Sequence, residues 1–213
     1  MHCQQAAGHK RGRLWICPTG AFVHLPIHAA GVQNKAGTRY LSDFYVPSYT
    51  PTLGALIRAR SALSRPARKE IKVLLAGVTK APSWPALPYA EGEVQSIRDV
   101  APVDTVISFS CNTTACTTAE LVLEHIPRAN IVHLACHGFQ SPGYPLASGF
   151  VMHDGILTVA QLMELNLPNA FFAFLSACET AKSDEKQPDQ AVHLAATMLF
   201  AGFKSVIGTM WYA

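Results

Sequence analysis

The sequence predicts an α/β fold, a mainly parallel sheet with helices on both faces, and three observations carry that expectation. From residue 71 onward, strand-like and helix-like segments alternate. The strand-like runs, such as VLLA at 73–76 and IVHLAC at 131–136, are continuously apolar, as strands covered on both faces are. The 213 residues are 49% hydrophobic and only 15% charged, where an average domain carries about 25% charged residues. So few charges imply a large buried core, or a piece of a larger assembly. The length suits one well-packed domain.

The elements follow in order. Residues 1–12 are polar and are expected to fray, with the domain proper at 13–213. The runs 14–17 and 21–25 read as short strands around the turn Pro18-Thr19-Gly20. GVQNKAGTR at 31–39 reads as a loop and 41–46 as a strand. Thr50 is placed to cap a helix with Pro51 at its first position, its inner face being Leu53, Leu56, Ile57 and Leu63. The basic stretch 65–69 is a polar connection. Then come a strand at 71–76, an amphipathic helix at 89–100 with Val94 and Ile97 inward, and a strand at 103–109. A helix at 118–125 is capped by Thr117 or Thr118. A strand at 130–136, a helix at 158–165 and a strand at 170–177 follow. A helix at 189–201 is ended by Gly202, and a last strand spans 204–210. Leu134, Phe174, Leu175, Val206 and Ile207 are the expected core of the central strands.

Composition narrows the function. A net charge of +3 and scattered basic residues, with no aromatic ladder between them, give no footprint for nucleic acid. No apolar run approaches the roughly 18 residues of a membrane span. Residues 14–17 are too short for a signal-peptide core. The six cysteines include no CxxC pair, which favours reduced thiols and a cytoplasmic or nuclear setting. No GxxxxGK, GxGxxG or GxSxG motif occurs, which argues against the corresponding nucleotide-binding and hydrolase sites.

Two strand ends carry reactive groups. One run ends in His133-Leu134-Ala135-Cys136-His137-Gly138, the other in Ser176-Ala177-Cys178-Glu179. In open α/β sheets, ligands bind beyond the carboxyl ends of the strands. The intervening stretch holds one predicted helix, which suits a crossover between parallel strands. If those strands are neighbours, their ends lie roughly 5 Å apart. His137 could then act as base and Cys178 as nucleophile. Gly138 lacks a Cβ, so its N–H and that of Cys178 could form an oxyanion hole. A cysteine or histidine at a strand end is more often structural; the joint arrangement is rarer. His133 and Cys136 fall on opposite faces of their strand, which argues against a shared metal. His193 reads as a core position, and His28 and His153 lie near turns. Asp184 and Glu185 read as a solvated loop or, more sharply, as a carboxylate wall for a basic substrate residue. Asp189 reads as a helix cap.

The segments HLACHG (133–138) and FLSACETA (174–181) resemble the two active-site motifs of the CHAT family, relatives of caspases and separases. LPIHAAG (25–31), YTPTL (49–53), LPYAEGE (87–93), HDGILT (153–158), AVHLAATMLFAGF (191–203) and SVIGTMW (205–211) extend the resemblance over most of the chain. It implies a caspase-like three-layer fold and a cysteine endopeptidase with His137 and Cys178 as catalytic dyad. The histidine stands 41 residues before the cysteine, similar to the order in caspases. Ser176, Glu179 and Asp184 become candidate substrate-binding residues, and no metal or organic cofactor is expected. The expected partner is a polypeptide substrate, cut as the effector step of signalling or regulated cell death, with an N-terminal repeat or sensor domain in a full-length protein. Glu179 stands where the family often has Gln; a carboxylate beside a thiol raises its pKa. Similar proteins continue with acidic residues after the position of Trp211, so a C-terminally incomplete domain is expected. The competing expectation is a non-catalytic interaction module in which the motifs persist as core packing.

Overall fold

A computed structural model describes residues 11–34, 37–61, 71–110, 116–141, 143–177 and 194–209. The N-terminal part is a small unit. Strand β1 (Gly12–Ile16) leads through two 3₁₀ turns (Gly20–His24 and Ile27–Ala29) to a hairpin of β2 (Gly31–Asn34) and β3 (Gly37–Tyr40). Helix α1 (Leu41–Phe44), strand β4 (Tyr45–Tyr49) and helix α2 (Leu53–Ser61) follow. β1 pairs with β4 in parallel, Gly12 opposite Tyr45.

Several expectations for this part are corrected. The strand expected at 21–25 is a 3₁₀ turn, closed by Leu25 N–H on the Phe22 carbonyl at 3.2 Å and entered through Gly20 at φ +56. The loop expected at 31–39 is the β2–β3 hairpin, whose described residues are all exposed. Having no buried face, it carries no apolar alternation to read. The strand expected at 41–46 starts instead as α1, where Asp43 Oδ2 accepts the Tyr40 N–H at 2.7 Å. The cap of α2 is Thr52, not Thr50: its Oγ1 accepts from Ala55 N at 3.0 Å. Leu53 and Ile57 are exposed, and Ala55 is the buried residue of that helix. Leu63 and the basic stretch 65–69 lie outside the described residues.

The remainder alternates as the sequence implies, except for three short strands between residues 137 and 158 that the sequence reading did not expect. β5 (Val73–Gly77), α3 (Ala90–Val100), β6 (Val106–Phe109), α4 (Ala119–His125) and β7 (Ile131–Ala135) come first. β8 (His137–Phe139), β9 (Gly149–Val151) and β10 (Ile156–Thr158) form a small antiparallel sheet. Then come α5 (Val159–Met163), β11 (Phe172–Ser176), α6 (Leu194–Ala201) and β12 (Ser205–Gly208). Among the described residues the main sheet has five strands in the order β12-β11-β7-β5-β6, and every pairing in it is parallel. Residues 103–105, expected to start a strand, form a 3₁₀ turn ahead of β6.

The two faces of this sheet differ. On one, Leu74, Ala76, Val132, Leu134, Ala173 and Leu175 pack with residues of α4, α5 and α6 into the larger core. On the other, α3 lays Ala90 and Val94 on Val73, Leu75 and Ala135. Among the described elements nothing continues that cover over β11 and β12. Phe174 is therefore 36% and Ile207 51% exposed, against the expectation that both are core. Leu134 and Leu175, on the covered face, are buried as expected, and Val206 is half-buried. Among the described residues no helix is long and apolar enough to cross a membrane.

Candidate active site

The two reactive strand ends are neighbours. β7 and β11 run side by side with Ala135 opposite Ser176, and Cys136 N–H donates to the Ser176 carbonyl at 3.2 Å. The chain turns out of the main sheet at Cys136 and enters β8, whose first residue is His137, opposite Val151 on β9. One residue thus separates the last buried position of the parallel sheet from a half-exposed imidazole at its carboxyl edge.

His137 is held by a segment that the sequence reading passed over. Its Nε2 donates to the Pro85 carbonyl at 2.8 Å, and its ring lies 5.3 Å from that of Trp84, which in turn packs edge-on against Phe139. A carbonyl oxygen only accepts, so the proton on this ring sits at Nε2. In the neutral ring, Nδ1 then keeps the lone pair and is the basic nitrogen. Trp84 and Pro85 belong to the loop between β5 and α3. Its turn is closed by Trp84 N–H on the Ala81 carbonyl at 3.2 Å, with Ser83 in the left-handed region at φ +66. The topology rule could have located them, because the loop leaving a parallel strand lies at the sheet's carboxyl edge.

Gly138 follows in β8, opposite Phe150. Cys178, Glu179 and Asp184 lie outside the described residues, as do Glu185, Asp189 and His193. The described strand ends at Ser176, and the Ala177 carbonyl accepts from Thr209 Oγ1 at 2.7 Å, tying this end of β11 to the residue after β12.

Ser176 leads to a polar cluster on the half-covered face. Its Oγ donates to Glu93 Oε2 at 2.9 Å. Glu93 stands in the first turn of α3, where the helix N-terminus favours a carboxylate. Its other oxygen lies 3.4 Å from His133 Nε2. His133 is 4% exposed, and this nitrogen has no hydrogen-bond partner. Burial pushes the His133 pKa down from the ordinary 6.5, against the opposing pull of Glu93, so the ring is neutral at physiological pH. Phe174 packs on it at 5.3 Å between centroids. The stretch LPYAEGE contains Glu93, but its sequence pattern gives no sign that the carboxylate reaches Ser176, 83 positions away.

The other candidates take structural places. Cys136 is buried in the larger core, on the face opposite His133 as expected. Burial pushes its thiol pKa far up, so it is an inert neighbour of His137 rather than a rival nucleophile. Thr117 Oγ1 donates to the Gly77 carbonyl at 2.8 Å, and Thr118 alone caps α4, accepting from Leu121 N at 3.2 Å. His28 is bonded to Tyr49 Oη through both its N–H and Nδ1, and His153 Nδ1 lies 3.3 Å from the Lys80 carbonyl. Among the described residues no group of three His, Cys, Asp or Glu side chains is placed to hold a metal.

Compared with known families, residues 2–212 match the family model described as CHAT domain. No curated protein matches the chain.

Proposed function

The chain belongs to the CHAT-domain family, and from that membership we propose that it is a cysteine endopeptidase of caspase-like fold, with Cys178 as nucleophile and His137 as base. The observation that carries this reading is the hydrogen bond from His137 Nε2 to the Pro85 carbonyl. It fixes the tautomer, directs the basic Nδ1 away from that carbonyl, and does so at the carboxyl edge where β7 and β11 end together. Cys178 follows Ala177 directly in the chain.

In this mechanism the Cys178 thiol gives its proton to His137 Nδ1, and the sulfur attacks the scissile carbonyl carbon of a polypeptide. The carbonyl π bond opens, and its oxygen takes the charge between the N–H groups of Gly138 and Cys178. The imidazolium returns its proton to the departing amine as the C–N bond breaks. Water, deprotonated by the same imidazole, then cleaves the thioester and restores the thiol. Ser176, Glu179 and Asp184 are the substrate-facing candidates.

A peptidyl acyloxymethyl ketone tests the pair. Mass spectrometry of the labelled chain places the adduct on Cys178, and His137→Ala slows its formation by about a hundredfold or more. An adduct confined to the accessible Cys17 or Cys116, or labelling of Cys178 indifferent to His137, overturns the proposal in favour of a non-catalytic module.

A further inference from the structure

The small net charge of the chain hides a division. Residues 1–69 carry ten lysines and arginines and a single acid, Asp43, whereas residues 70–213 carry thirteen acids against seven basic residues. Within the basic part, the β2–β3 hairpin and α1 enclose an open cleft of about 400 Å³, walled by Val32, Tyr40, Leu41 and Phe44 and lined also by Arg39. Val32 stands opposite Arg39 across the hairpin, so the two share one face. Val32 is 71% and Phe44 46% exposed. Gly31 shapes the floor: Tyr40 lies across it so closely that a Cβ there would be 2.8 Å from Tyr40 Cδ1. The Arg39 guanidinium lies 4.4 Å from the centre of the Phe44 ring. Among the described residues it has no carboxylate in ion-pair range. Asp43, the one acid close in sequence, already accepts the Tyr40 N–H.

Three properties of the cleft select its occupant. Contiguous exposed apolar side chains rimmed by a charge mark an interaction site. An unpaired guanidinium selects a carboxylate, which it meets with two parallel hydrogen bonds. The outer edge of neither hairpin strand is paired with another described strand, so the hairpin can accept an extended chain as a further strand. A small carboxylic acid leaves that edge unused, and a cleft this open covers too little of it. A nucleic-acid strand brings phosphates to Arg39 but sets sugar and phosphate against Val32 and Leu41. We propose that the cleft docks an extended acidic segment of a partner polypeptide, one with an aliphatic or aromatic residue and an aspartate or glutamate two positions apart. That spacing puts both side chains on one face of a strand. The apolar one enters between Val32 and Phe44, and the carboxylate pairs with Arg39. The basic surroundings draw such a partner in and repel basic ones.

Fluorescence polarisation with the 213-residue chain tests this. The probe is a fluorescein-labelled peptide, Ser-Thr-Leu-Thr-Glu-Thr-Ser, amidated at its carboxyl end. Saturable binding is expected. It is lost when the glutamate becomes glutamine or moves next to the leucine, and lost when the peptide backbone is N-methylated. Arg39→Gln should raise Kd by about tenfold, the worth of a hydrogen bond to a charged group, and Val32→Asp by at least as much. Arg58→Gln, at an exposed arginine of α2 outside the cleft, should change it by no more than about threefold. All three positions are exposed, so circular dichroism should be the same in every variant. No saturable binding, or equal losses in Arg39→Gln and Arg58→Gln, overturns the site. Binding that survives N-methylation overturns strand addition. A single-stranded oligonucleotide that binds more tightly than the peptide, with the same dependence on Arg39, overturns the polypeptide partner. So does self-association that Val32→Asp abolishes in light scattering, which makes the occupant a second copy. His137 and Cys178 take no part in any of these measurements, so the outcome is separate from that of the peptidase reading.

Discussion

Burial of His133 against Phe174 and behind Glu93 gives the protein a pH response that can be predicted in sign. The unfolded histidine titrates near its ordinary 6.5, and the folded one below it. Between those two values the unfolded chain binds more protons, so stability rises with pH through that window and is lost as pH falls from 6.5 toward the folded value. Denaturant unfolding at a series of pH values between about 7.5 and 5 should show this loss, and His133→Gln should flatten it. A second residue-scale prediction separates the two sheet faces. Leu134→Ala empties a fully buried site and should cost about 2–5 kcal/mol. Phe174→Ala removes a ring that is 36% exposed and should cost no more than about 2 kcal/mol. The sequence alone implies the same large cost for both, because each stands in an apolar strand run; only the cover over each face distinguishes them.

At the scale of elements, the chain signals its strands and helices wherever they bury a face. β5, α3, α4, β7, α5, β11 and β12 fall within a few residues of the expected spans, and the described part of α6 ends where expected. The signal fails where no face is buried or where local bonds decide: the exposed β2–β3 hairpin, the 3₁₀ turn at Gly20–His24, and the start of α1. Gly202 shows a local rule and a tertiary contact agreeing. It ends α6 at φ +129, and a Cβ there would lie 2.6 Å from the Leu167 carbonyl oxygen. Gly202→Ala should therefore destabilise by more than about 1 kcal/mol, measured by urea unfolding. Thr118→Ala should cost about 0.5–2 kcal/mol through loss of the α4 cap.

For the molecule as a whole, the asymmetry of the sheet matters most. Among the described residues three helices pack on one face and α3 alone on the other, leaving Phe174 of β11 and Ile207 of β12, the edge strand, exposed. An edge strand with an exposed apolar face is prone to pair with other chains. Concentration-dependent self-association is the expected result, and Ile207→Lys should reduce it, as read by size-exclusion chromatography with light scattering. Unchanged association in that variant would locate the sticky surface elsewhere, the exposed β2–β3 hairpin with Val32 being the next place to look.

The sequence by itself determined the α/β class, the parallel character of the sheet and the family, while the adjacency of the strands ending before His137 and Cys178 waited on the pairing of β7 with β11. Class, parallel character and family are written in the period, the run length or the order of residues close together in the chain. The tertiary structure alone decided which of the two faces is covered. It also brought the Pro85 carbonyl to His137 across 52 positions and placed Glu93 between His133 and Ser176. Those contacts join groups far apart in sequence through single hydrogen bonds and ring contacts. A single polar contact of that kind leaves no periodicity behind, whereas a buried strand or helix face repeats its apolar residues at a fixed interval.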